Sequence, residues 1–142
     1  VDSEPFKNDA AEIFLGATTK QDGSFRTDDL HLIVDYRAIA KTYVPYQASQ
    51  PPPPGVEVAA AVVSDGYVVE AFVPKSVFGA GTFSEETKLA FDLQIDDNAG
   101  SVQTGVLWLY FDTATPGCGA CNCAPDYEPF CNPNMWGELS FK

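Results

Sequence analysis

The sequence predicts an all-β fold, an antiparallel β-sandwich of the immunoglobulin or jelly-roll kind, with a long cysteine-rich loop near the C-terminus. Three observations predict it. Apolar residues recur at every second position in several short runs, which is the period of a half-buried strand. The dipeptide Asp65-Gly66 separates two apolar runs, as a tight hairpin turn would. No stretch carries a sustained helical period, and short strands without helices bury their apolar faces by pairing two sheets.

The elements follow in order. Ala11, Ile13 and Leu15 alternate with Glu12 and Phe14, and Leu30, Leu32, Val34 and Tyr36 alternate with His31, Ile33 and Asp35. Each run predicts a strand with one face inward. Residues 56–63 and 67–73 form the two arms of the hairpin around Asp65-Gly66. Residues 74–78 offer a short helical turn, with Pro74 at its start. Leu89, Phe91, Leu93 and Ile95 face one way, and Ala90, Asp92, Gln94 and Asp96 the other. Residues 106–111 are apolar on both faces and predict a central strand, in which Trp108 is core. Residues 137–141 close the chain as a last short strand.

Two loops interrupt this rhythm. Residues 43–55 contain Pro45 and the run Pro51, Pro52, Pro53 and Pro54, which is stiff, extended and unable to donate to a ladder. Residues 113–135 hold all four cysteines, and a loop of that length is usually functional or cross-linked. With 142 residues, a single domain spanning 1–142 is expected.

Composition narrows the function. Twenty acidic side chains against eight basic ones give a formal net charge of −12. Such a surface repels phosphate backbones and anionic lipid, so no nucleic acid and no membrane is expected as a partner. Neutral ligands and cations remain. No run approaches the ~18 apolar residues of a membrane-spanning helix. The chain has neither an initiator Met nor a basic-then-apolar leader, which predicts a processed chain or an excised piece of an exported protein. Cys118, Cys121, Cys123 and Cys131 crowd into one short segment. The spacing lacks the two separated C-x-x-C knuckles of a zinc site, so disulfides are expected, with three connectivities open.

Four segments carry a family resemblance. Asn8-Asp9-Ala10-Ala11-Glu12-Ile13-Phe14-Leu15 resembles an early strand of the family 9 carbohydrate-binding modules. Asp65-Gly66-Tyr67-Val68-Val69-Glu70-Ala71-Phe72-Val73-Pro74 resembles that family's hairpin. Phe91-Asp92-Leu93-Gln94-Ile95-Asp96-Asp97-Asn98 resembles its strand and acidic loop, and Trp136-Gly137-Glu138-Leu139 its closing strand. The four occur in family order and span most of the chain. The family's further strands before the first block are absent here, which implies that a neighbouring domain or subunit could supply them. The cysteine loop is an insertion relative to the family pattern.

The resemblance implies a secreted, non-catalytic domain that holds a glycan between two aromatic plates, with polar groups beneath. Apolar C–H faces of a pyranose stack on rings, and its hydroxyls need planar polar partners. Trp136 matches one plate and Phe6 the other. Glu12 lies opposite Ile13 on the polar face of its strand and is a candidate acceptor for two vicinal hydroxyls; pairing with Arg37 or Arg26 is the structural alternative. Gln94 and Asp92 share a similar face, Asn132 and Asn134 flank the tryptophan, and Tyr43 and Tyr46 could extend the site. Glu70 reads as structural or metal-linked.

Asp96-Asp97-Asn98-Ala99-Gly100 places oxygen ligands at short spacing with a glycine for a sharp turn, a segment suited to a hard cation. The resemblance implies bound Ca²⁺ near such a loop, with Asn8 and Asp9 as further ligands. No catalytic residue is expected: His31 is the sole histidine, it reads as structural, and no nucleophile pattern accompanies it. An extracellular structural or adhesive subunit, stabilised by Ca²⁺ and disulfides and completed by strand addition, is the alternative. A haem carrier using Met135 and His31 is a third reading, without the usual attachment motif.

Overall fold

A computed structural model describes residues 4–17, 26, 28–43, 49–79, 83–84, 86–99, 102–108 and 136–140. Eight strands are assigned: β1 (Ala10–Gly16), β2 (Leu30–Asp35), β3 (Ala40–Thr42), β4 (Glu57–Val63), β5 (Gly66–Phe72), β6 (Lys88–Ala99), β7 (Val102–Trp108) and β8 (Gly137–Ser140). Short 3-10 turns cover Pro5–Lys7 and Lys75–Phe78. The larger sheet runs β3-β2-β1-β6-β7, and β8 also pairs with β6. Every assigned pairing is antiparallel. β4 and β5 form a second sheet by themselves.

Register explains why the two faces of the large sheet differ. Ala11 lies opposite Val34 and Ile95, Ile13 opposite Leu32 and Leu93, and Leu15 opposite Leu30 and Phe91. Period-two alternation therefore stacks apolar rows on one face. Val58, Val69 and Val73 of the hairpin region pack against that face, with Val77, Phe78 and Phe83 closing one end. This is the sandwich core. Even so, an apolar cleft of about 500 Å³ lies beside Ala71 and Val73, floored by Leu15, Leu89 and Phe91. A second, of about 380 Å³, lies beside Tyr67 and Val69.

Several expected elements shift. The hairpin register pairs Val63 with Gly66, so the two turn residues are Ser64 and Asp65, and Gly66 opens β5. Asp96, Asp97 and Asn98 belong to β6 and not to a loop. Pairing with β1 and β7 outweighs the weak strand propensity of Asp and Asn, and a register shift between Asp97 and Asn98 absorbs the irregularity. β3 is three residues long, too short to show an alternation. The strand expected at 106–111 is assigned as Val102–Trp108, and residues 109–111 lie outside the described residues.

Candidate functional site

The opposite face of the large sheet is buried yet polar. Glu12, His31, Asp35, Asp92, Gln94 and Asp96 are all buried there. Rows again follow register: Asp35, Ala10 and Asp96; Ile33, Glu12 and Gln94; His31, Phe14 and Asp92. Buried charge is costly without partners, so such a layer demands a hydrogen-bonding role.

Its partners are specific. His31 Nε2 lies 2.7 Å from Glu12 Oε2. Burial pulls the imidazole down to about 3, against a partial offset from Asp96. The ring is therefore neutral at pH 7 and donates from Nε2 to the carboxylate. Gln94 Nε2 donates to Asp96 Oδ1 at 3.0 Å. Arg37, one of the partners proposed for Glu12 from sequence, binds Asp35 instead, its Nε donating at 2.9 Å.

Aromatic rings cross this face in a row. Phe6 meets Tyr43 edge-on, with centroids 5.5 Å apart. Tyr43 lies 5.9 Å from His31, His31 stacks on Phe14 at 4.3 Å, and Phe14 is 5.6 Å from Trp136. The two plates proposed from sequence, Phe6 and Trp136, are thus the ends of one ring chain. They differ in exposure. Phe6 is 36% exposed, whereas Trp136 is 6% exposed and clusters with Phe14 and Ala90.

Charged groups rim the exposed end. Lys41 Nζ donates to Glu4 Oε1 at 2.8 Å, and the Tyr43 hydroxyl donates to the other Glu4 oxygen. Lys41 and Tyr43 together hold the Glu4 carboxyl below its usual range. Burial, then the Glu4 bond, pushes the Tyr43 hydroxyl well above its usual value.

Asp9 and Asn98, proposed as metal ligands, clamp the segment that presents Phe6. Asn98 N–H donates to Asp9 Oδ1 at 2.8 Å, and Asn98 Nδ2 donates to the carbonyl of Asn8 at 2.5 Å. From the other side, Asn8 Nδ2 reaches Glu4 O at 3.1 Å and Asp35 Oδ2 at 3.4 Å. Asp97 is exposed and Asp96 buried. Among the described residues, no three Asp, Glu, His or Cys side chains converge as a metal-ligand group. The Tyr67 hydroxyl is buried and lacks a hydrogen-bond partner among the described residues. Burial and the charges of Asp9, Asp96 and Asp97 push it up to about 12.

Asn132, Asn134, Met135, Tyr46 and the cysteines 118, 121, 123 and 131 lie outside the described residues. Trp108 is placed by backbone register alone, opposite Gln94. Sequence reasoning did not single out Glu4 and Lys41 at the rim, nor pair His31 with the Glu12 carboxylate. The available signal for His31 was its place on the polar side of an alternating strand.

Fold and face together define a β-sandwich domain with one buried polar face. The family model described as carbohydrate family 9 binding domain-like matches residues 1–142, and the chain belongs to that family. No curated protein sequence matches the chain. A family 9 carbohydrate-binding module from Caldicellulosiruptor kristjanssonii, solved in complex with cellotriose, is similar at TM-score 0.75 and 21% identity, covering 100% of this chain and 62% of that one. A family 9 module from the same organism, in complex with glucose, gives TM-score 0.74 at 21% identity, with 100% and 63% coverage. The present chain thus spans less than two thirds of those structures' length.

Proposed function

We propose that this domain is a secreted, non-catalytic module that holds a glycan of the glucose or cello-oligosaccharide class on the polar face of its larger sheet. The observation that carries the reading is the buried polar layer of Glu12, His31 and Gln94 lying beside a ring row that ends in exposed Phe6. Phe6 and Tyr43 offer apolar edges and faces to the sugar C–H groups, and Lys41 and Glu4 offer a donor and an acceptor at the rim. Glu12 accepts from vicinal hydroxyls, and Gln94 supplies a neighbouring amide. Trp136, packed on Phe14 and Ala90, backs the ring row from within. The bound partners named for the Caldicellulosiruptor structures supply the choice of probe.

Calorimetric titration with cellotriose and glucose tests this. Phe6→Ala should weaken binding at least tenfold and leave the melting curve in place, because Phe6 is exposed. Unchanged affinity would remove Phe6 from the site. Absence of any heat or shift with wild type would overturn the reading.

The proposal includes one structural Ca²⁺. Asp9, Asp96 and Asp97 would supply hard oxygens; they do not converge as a ligand group in this structure, so binding would have to draw them together, and the ion's charge would offset the carboxylates near the Tyr67 hydroxyl. Disulfides among Cys118, Cys121, Cys123 and Cys131 belong to the same extracellular reading. No helix among the described residues is long and apolar enough to cross a membrane.

A second reading rests on the small sheet. Among the described residues β4 and β5 pair only with each other, and Val62, Val63, Val68 and Phe72 are exposed. Open strand edges accept another strand, which suits a structural subunit completed by a neighbour. Light scattering that shows a concentration-dependent oligomer without glycan binding would favour it.

A further inference from the structure

We infer that His31 is a positioning residue for glycan recognition, fixing the Glu12 carboxylate through Nε2 so that it meets the sugar hydroxyls in one orientation. The inference rests on the glycan-binding reading and adds a residue to it.

The contact is diagonal across the ladder. Glu12 lies opposite Ile33, and His31 lies opposite Phe14, so the imidazole must lean along the strand to reach the carboxylate. Diagonal partners in an antiparallel pair are within reach of long or aromatic side chains. The lean is enforced. Phe14 stacks on the imidazole with an interplanar angle of 24°, Tyr43 approaches the same ring at 48°, and Trp136 backs Phe14. Tyr43 is tied to β2 by its own backbone N–H, which donates to the carbonyl of His31 at 3.1 Å. A ring confined in this way cannot swing, and neither can the Nε2–H that it directs. Both side chains of the pair are 6% exposed, so water competes weakly for the bond.

The chemistry of the donor matters as much as its geometry. An arginine or lysine at this position would neutralise the carboxylate and weaken it as an acceptor. A neutral imidazole donates one directed hydrogen bond and leaves the negative charge on Glu12. Hydrogen bonds from hydroxyls to a charged acceptor are stronger than those to a neutral one. Holding that acceptor still before the sugar arrives removes an ordering cost from binding. Gln94, directly opposite Glu12 on β6, is braced in a comparable way by Asp96.

The test compares wild type, His31→Gln and His31→Phe by calorimetric titration with cellotriose, alongside melting curves. His31→Phe keeps a flat ring against Phe14 and deletes the donor. It should lose at least tenfold in affinity, equivalent to about 1.4 kcal/mol. His31→Gln restores an N–H near the same place and should bind within about threefold of wild type. Wild-type affinity in folded His31→Phe overturns the inference while leaving the glycan reading intact. An equal loss in both variants also overturns it, because the donor would then be irrelevant. If His31→Phe does not fold, nitrogen-15 spectra of the wild-type imidazole decide. The Nε2-protonated tautomer should be present and its resonance should move on addition of cellotriose; a different tautomer or an unmoved resonance overturns the inference. Wild type that fails to bind cellotriose overturns the parent reading, and this inference with it.

Discussion

Asp35→Ala should destabilise the domain by about 3 kcal/mol, and the carboxylate's partners supply the magnitude. Asp35 is fully buried at the end of β2. Its Oδ1 accepts the backbone N–H of Arg37 at 2.9 Å and of Ile39 at 3.0 Å. Its Oδ2 accepts from the Arg37 guanidinium and from Asn8 Nδ2. Two part-buried backbone donors left without an acceptor cost roughly 1 kcal/mol each. The ion pair adds about 1 kcal/mol, a discounted figure because the Arg37 side chain is 27% exposed. Urea denaturation reads the sum. With a denaturant slope of roughly 1.5 kcal/mol/M, the midpoint should fall by about 2 M. Asp35→Asn keeps one acceptor and should fall by about half as much. A midpoint shift for Asp35→Ala below ~0.5 M would refute the premise that this carboxylate organises the turn. Asn8 links Asp35 to the Glu4 carbonyl, so the folded variant should also bind cellotriose several-fold more weakly.

Four further outcomes are expected. His31 is held near 3 when folded against an ordinary value of 6.5, so between those values only the unfolded chain takes up the proton. Its contribution to stability is therefore complete above pH 6.5 and is lost as pH falls towards 3, at up to about 1.4 kcal/mol per pH unit; wild type minus His31→Gln in urea at pH 7.5 and 5 isolates it, and a difference independent of pH would show that folding leaves the His31 pKa unshifted. Trp136→Ala removes a buried ring packed on Phe14 and Ala90 and should cost about 3–5 kcal/mol, a loss read from thermal melts. Millimolar Ca²⁺ should raise the melting temperature relative to chelator, in proportion to the logarithm of its concentration, whereas coincident curves would leave Asp9, Asp96 and Asp97 without an ion. The four cysteines should show no thiol reactivity in the denatured, unreduced protein, and labelling of two or more would end the disulfide proposal.

How far the sequence could be read depends on what period and register each encode. The apolar rows through Ile13, Leu32 and Leu93 were legible because alternation alone assigns a side chain to a face. Which strand lies beside which was not. Glu12 and Gln94 are direct partners, and Glu12 and His31 are diagonal ones, yet each pair is widely separated in the chain. Nothing local in the sequence records that proximity. The acidic run at 96–98 reads as a loop because Asp and Asn are poor strand formers in isolation, and two flanking strands override that preference in the fold. Phe6 and Trp136 came from the resemblance alone. The ring chain that joins them depends on Tyr43, Phe14 and His31, whose mutual approach is a product of folding.

The separation of the hairpin from the main ladder has a consequence for how the domain breathes. β1 has a strand on both sides, so its amides are bonded into the sheet from either flank. Among the described residues β4 and β5 pair only with each other, and a two-stranded ribbon is marginal by itself. Its hold on the rest runs through Val58, Val69 and neighbours wedged on the apolar rows. Release of that packing would free the ribbon as one unit while the backbone ladders joining β1, β2 and β6 stay paired. Deuterium should therefore enter residues 57–72 together, through an opening well below the global unfolding free energy. Limited proteolysis should first cut at Ser64 or Asp65, while the sheet that carries Glu12 and His31 stays closed.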